Sequence, residues 1–193
     1  HLHPFPTRRS SDLAGETPLH MAVRAKHQDI AELFIEKGAL VYASDREGRT
    51  PLHLAAEYGF TELVLSLIDR GADVAREDRE GATPLHLAAR HIQQPASLAL
   101  LERGADIVAK DKRGRTPLHM AAMGDVVKLA AGSDPNKAIA KSKVRVNPER
   151  LTYIQFLLDK GAALELHDRY GATPLHTAAA EGQAYIVNYL LDK

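Results

Sequence analysis

The tetrapeptide Thr-Pro-Leu-His occurs at Thr17, Thr50, Thr83, Thr116 and Thr173, and the first four copies are 33 residues apart. In the first three copies Gly-Ala follows about 20 residues later, at Gly38, Gly71 and Gly104, and in the fourth it follows at Gly161, after a longer interval. Two landmarks in fixed order at a fixed period are the mark of a repeat array, in which each unit buries its apolar face on the next. That period restricts the possible folds more than any property of composition.

The chemistry within one unit gives its shape. The Thr hydroxyl suits the capping of free helix N–H groups, and Pro at the first helical position has no hydrogen bond to lose. A helix therefore starts at each Thr-Pro. A break follows, as at Gly59, and then a second apolar pattern, Leu63, Val64, Leu67 and Ile68, whose adjacent pairs are one helical turn apart. Gly71 suits the left-handed turn that ends a helix, and Asp73 to Gly81 is polar and turn-forming. The same stripe recurs at Ile30, Phe34 and Ile35, at Leu100 and Leu101, at Tyr153, Ile154, Leu157 and Leu158, and at Ile186, Val187, Leu190 and Leu191.

The run from Asp45 through Thr50, Pro51, Leu52, His53, Leu54, Ala55 and Ala56, with Gly71-Ala72-Asp73-Val74 behind it, resembles an ankyrin repeat almost throughout. The resemblance covers residues 14–193. It implies an all-α ankyrin-repeat solenoid of helix-turn-helix pairs, with β-hairpin finger loops in front of the inner helices. The repeats fall at about 14–44, 45–77, 78–110, 111–167 and 168–193, the last truncated. Lys26 and Ile92 replace the inter-helix Gly in the first and third repeats, and Pro95 follows closely. A different connection is expected at both.

The fourth unit departs from the period, since Thr116 to Thr173 spans 57 residues, 24 more than the repeat. The insertion lies near 124–150, with a basic run at Lys137, Lys141, Lys143 and Arg145, and Asn147-Pro148 reads as a cap and a restart of the helix. Two readings of the insertion stay open: a second, basic contact site for an acidic partner, and a solvated excursion of the kind surface loops tolerate. At the other end, Phe5 to Leu13 reads like the translation of a sequencing-library adaptor, so residues 1–13 are expected to be non-native. With the apolar last helix, this leads to the expectation that both ends are cut from a longer protein.

Composition excludes several functions. Lys plus Arg is 25 and Asp plus Glu is 25, whereas a phosphate backbone needs a clear basic surplus, so nucleic acid is not expected as a partner. With no cysteine there are no disulfides, thiolate metal sites or cysteine nucleophiles. No apolar run is long enough for a membrane span, and neither a signal peptide nor a cysteine is visible, which favours a cytoplasmic setting while leaving location open.

His20, His53, His86, His119 and His176 follow the repeat frame. Matching positions in stacked helices lie roughly 8 to 10 Å apart, too far for one ion with ligands at about 2.0 to 2.3 Å. A histidine that bonds loop backbone between repeats is the expected role. Asp45, Asp78, Asp111 and Asp168 likewise read as turn residues. No catalytic motif is found, so neither enzymatic activity, a cofactor nor a small-molecule substrate is expected.

Function is then sought where matching positions differ between copies. In the fingers these are Arg46, Glu47 and Arg49, then Arg79 and Glu80, then Lys112, Arg113 and Arg115, then Arg169 and Tyr170. On the inner helices they include Tyr58, Arg90, His91 and Met123. The resemblance implies that these line a concave groove that binds a partner protein, and the excess of Arg and Lys suggests an acidic or mixed-charge partner surface. The alternative is an accessory ankyrin module of a larger enzyme, channel or effector whose active domain lies elsewhere.

Overall fold

The computed structural model describes residues 15–124 and 147–193, and over these the chain forms five helix pairs. The inner helices are α1 (Pro18–Arg24), α3 (Pro51–Tyr58), α5 (Pro84–Arg90), α7 (Pro117–Ala122) and α9 (Pro174–Ala180). The outer helices are α2 (Gln28–Glu36), α4 (Thr61–Asp69), α6 (Gln94–Glu102), α8 (Pro148–Asp159) and α10 (Ala184–Leu191). The adaptor-like segment 1–13 and most of the insertion, with its basic run, lie outside the described residues.

Each inner helix starts as its sequence dictates. The N-cap Thr is extended, Pro takes the first turn, and the His two residues beyond Pro closes a reciprocal capping box with the Thr. Successive inner helices pack side by side, and the buried Leu and Ala residues of this row, such as Leu52, Leu54, Ala55, Leu85, Ala88, Leu118 and Ala121, form the spine of the core. The outer helices contribute the stripe read from the sequence, with Ile35, Leu63, Leu67, Leu100, Ile154, Leu157 and Ile186 all buried.

The first residue after each inner-helix turn is left-handed in all five repeats, and the connections of the first and third repeats match that of the second, contrary to expectation at Lys26 and Ile92. Gly59, Gly124 and Gly182 have φ of 74°, 73° and 68°, while Lys26 and Ile92 reach 63° and 53°. The turn is fixed by backbone bonds, such as those from the N–H of Phe60 to the carbonyl of Ala55 and from Gln93 to Ala88, each 2.9 Å. Packing of the two helices on their neighbours holds this geometry even where the side chain opposes it, and a β-branched residue in the left-handed region is costly.

The fingers are turns, and no strand forms among the described residues. In each, Asp Oδ1 accepts two backbone N–H groups, as Asp45 does from Glu47 at 3.0 Å and Arg49 at 2.8 Å. Adjacent fingers are tied by single backbone bonds: Arg79 N–H to the Glu47 carbonyl, Lys112 to Glu80 and Arg169 to Arg113, at 2.8 to 2.9 Å. This approach is why glycine is required at Gly81, where a Cβ would sit 2.7 Å from the Lys112 nitrogen and φ is +77°.

Asn147 restarts the fourth repeat as its sequence suggests, its Oδ1 accepting from the N–H groups of Glu149 and Arg150. The helix it opens, α8, is 12 residues long, against nine for α4 and α6. The added turn carries Arg150 into the core.

Candidate partner-binding face

The periodic histidines build the scaffold on which the variable residues stand. In His53 the backbone N–H of Thr50 donates to Nδ1 at 3.1 Å, leaving Nε2–H to donate to the carbonyl of Ala82, in the next finger, at 3.1 Å. His20, His86 and His119 do the same to the carbonyls of Arg49, Arg115 and Ala172. Both ring nitrogens are occupied, and burial holds all four groups below the ordinary histidine range, His53 down to about 4. A neutral imidazole donating from Nε2 fits this site. Each histidine thus fixes the finger that precedes the next inner helix.

On this scaffold the expected contact residues divide into groups. In the first two repeats Arg24 and Arg49 are paired within the chain. Arg24 meets Glu16 and the buried Asp45 at 2.5 and 3.5 Å, and Arg49 meets Asp45, Glu47 and Glu57 at 3.4, 3.5 and 3.9 Å. His91 reaches the same Glu57 at 3.8 Å. Glu57 of α3 thus lies within ion-pair distance of Arg49 in its own finger and of His91 at the end of α5.

In the third and fourth repeats the arrangement differs. Arg115 binds Asp111 Oδ2 through Nε and Nη2 at 2.8 and 2.7 Å, and its Nη1 points at the Met123 thioether, 3.8 Å away. Arg90 Nη1 reaches the same sulfur from the other side at 3.4 Å. Arg90, Arg115 and Met123 thus form one cluster drawn from three elements.

Other candidates do not join it. Tyr58 is half-buried against the core, its ring 5.7 Å from Phe60 and 5.4 Å from Lys26 Nζ, both on inter-helix connections. His91 sits at the end of α5 and lines an open pocket of about 510 Å³ with Glu149 and Thr152 of α8. Arg46, Arg79, Glu80, Lys112, Arg113 and Arg169 lie at exposed finger positions, where Lys112 Nζ donates to the Arg79 carbonyl at 2.6 Å. Tyr170 is the most exposed large hydrophobic side chain among the described residues, at 86%.

Two buried polar contacts of α8 have no signature in the sequence pattern. Arg150, 1% exposed, donates from Nη1 to the carbonyls of Ala121 at 3.0 Å and Arg90 at 3.4 Å, capping the ends of α7 and α5. Tyr153 places its hydroxyl 2.6 Å from that of Ser97, which itself donates to the Gln93 carbonyl. Burial pushes the Tyr153 phenol up, so it stays protonated and donates to Ser97.

These elements define a class of protein: stacked helix pairs with hydrogen-bonded finger turns and a face of side chains that vary between units. The family model for ankyrin repeats in three copies matches residues 2–78, 42–111 and 75–139, and a single ankyrin repeat matches 170–193. The chain belongs to the ankyrin-repeat family. Ankyrin repeats are generally protein–protein interaction modules and are typically non-catalytic. No curated protein matches the chain. Among the described residues, no helix is long and apolar enough to cross a membrane, and no group of three or more His, Cys, Asp or Glu side chains could hold a metal ion.

Proposed function

We propose that the chain binds a partner protein through the groove between its finger loops and inner helices, acting as a rigid scaffold without a cofactor. The observation that carries this reading is a division of labour along each repeat. Thr, Pro, Leu, His, Asp and Gly are committed to caps, core and finger turns, whereas residues that differ between copies, such as the half-buried Arg49, Arg90 and Arg115 and the exposed Tyr170, are accessible on that frame. A surface fixed by its backbone binds without a large ordering cost. Arg and Tyr are the residue types that dominate interface hot spots.

The test is capture from the source lysate by the full chain with a photo-reactive residue at Tyr170, beside one with that residue at Glu62 on the outer helix α4. A partner crosslinked from position 170, and lost when Arg49 and Arg115 become Ala in a variant with unchanged circular dichroism, supports the groove. A partner crosslinked from position 62, and indifferent to those substitutions, moves binding to the opposite face.

A further inference from the structure

We propose that Arg90 and Arg115 hold a carboxylate of the partner protein, an Asp or Glu side chain, above the thioether of Met123. This assignment rests on the groove reading and names what the middle of that groove recognises. Two guanidinium groups converge on one sulfur at 3.4 and 3.8 Å, and a thioether is a weak acceptor. A carboxylate oxygen accepts such donors far better, through charge-assisted bonds about twice as strong as neutral ones.

The charge count favours a carboxylate over a doubly charged group. Asp111 already neutralises Arg115, so of the two arms only Arg90 keeps its charge uncompensated, forming no ion pair among the described residues. Arg115 keeps the finger pairing that Arg49 also makes, so the contrast lies at Arg90, because Arg24 at the matching position of the first repeat is met by Glu16 and Asp45 of its own chain. Half-buried side chains also lose less of their attraction to salt than exposed ones. The Met123 thioether offers an apolar seat for the methylene of an Asp or Glu.

The cluster is also held in position from below. Arg150 bonds the carbonyl of Arg90 itself and that of Ala121, two residues before Met123. One buried guanidinium thus fixes the backbone of Arg90 and the end of the helix that carries Met123, making Arg150 a positioning residue that does not touch the ligand. Pre-organisation of this kind reduces the ordering cost of a contact.

The experiment uses the full chain labelled with ¹³C at its methionine methyl groups, which number three: Met21, Met120 and Met123. A blocked hexaglutamate peptide is titrated in at low salt, with hexaglutamine and inorganic phosphate as alternative probes. Met123 is expected to shift saturably with hexaglutamate alone, while Met21 and buried Met120 hold still and report an intact fold. Arg90→Gln should weaken the response about tenfold or more, whereas Arg24→Gln should leave it unchanged. A silent Met123, a response equal in Arg90→Gln, or tighter binding of phosphate each overturns the assignment. The groove reading survives those results if position 170 still crosslinks a partner, and it fails separately if that partner ignores the face.

Discussion

His53 accepts at Nδ1 and donates at Nε2, so a proton added to the ring destroys the bond from Thr50 and places a charge in the core. Burial is the first cause of its depression to about 4 and of the same downward shift in His20, His86 and His119. The unfolded chain takes up these protons near the ordinary value of 6.5, and the folded one does not. Between about pH 6.5 and 4 the unfolded state therefore binds more protons, and stability rises with pH. For His53 the contribution is fully present above 6.5 and falls away toward 4, by up to about 1.4 kcal/mol per pH unit, and His20, His86 and His119 act in the same direction. Urea unfolding at pH values of about 7.5, 6 and 5 should show the midpoint dropping below 6.5, since all four histidines are shifted in the same direction. A flat profile over that range would contradict the hydrogen-bonding role of the row.

Between elements, the contact that matters most beyond apolar packing is the one from Tyr153 on α8 to Ser97 on α6, 2.6 Å long and fully buried. Ser97→Ala should cost about 1 to 3 kcal/mol, because it leaves the phenol of Tyr153 buried without an acceptor. Tyr153→Phe alone should cost less, since Ser97 keeps its bond to the Gln93 carbonyl. The double variant should recover part of the Ser97→Ala loss, which a double-mutant cycle by urea denaturation reads directly. Additive losses would show that the two hydroxyls do not interact. The pair also shows where the sequence becomes opaque. Helices, caps, the buried stripe and the Asp-centred turns were legible because each depends on residues within one repeat and recurs in its neighbours. Ser97 stands 56 residues from Tyr153, and the Arg150 contacts span 29 and 60, so neither is written in any local pattern. The site was partly legible for the same reason: Arg90, Arg115 and Met123 were marked as variable positions, but their convergence depends on the stacking of two repeats. Lys26 and Ile92 erred in the opposite direction, since local propensity argued against a turn that tertiary packing enforces.

Over the whole molecule, the described core divides into two apolar clusters, one built from repeats one to three and the other from the end of α5 through α10. The inner helices run across this division without a break, α5 packing closely on α7. The outer row does not: α2 packs on α4 and α4 on α6, but contact thins between α6 and α8 and again between α8 and α10. The boundary between the third and fourth repeats is thus held by inner-helix packing, by Ser97 with Tyr153, and by Arg150 reaching back to α5. In a repeat array, stability is close to a sum of unit and nearest-neighbour terms, so a thin boundary is where cooperativity breaks first. Leu67 of α4 and Leu157 of α8 are both fully buried, and truncating either to Ala should cost about 2 to 5 kcal/mol. The consequences should differ in reach. Leu67→Ala weakens the larger cluster and lowers the stability of the array as a whole, whereas Leu157→Ala lets repeats four and five open while the first three stay folded. Hydrogen exchange followed by mass spectrometry in rising urea distinguishes the two. In Leu157→Ala, amides of α8 and α10 should lose protection well before those of α3 and α4, and simultaneous loss across all four helices would mean that the boundary is as strong as the others. The Arg90, Arg115 and Met123 cluster lies on that boundary, so a carboxylate bound there would draw the two parts together and delay the opening of α8.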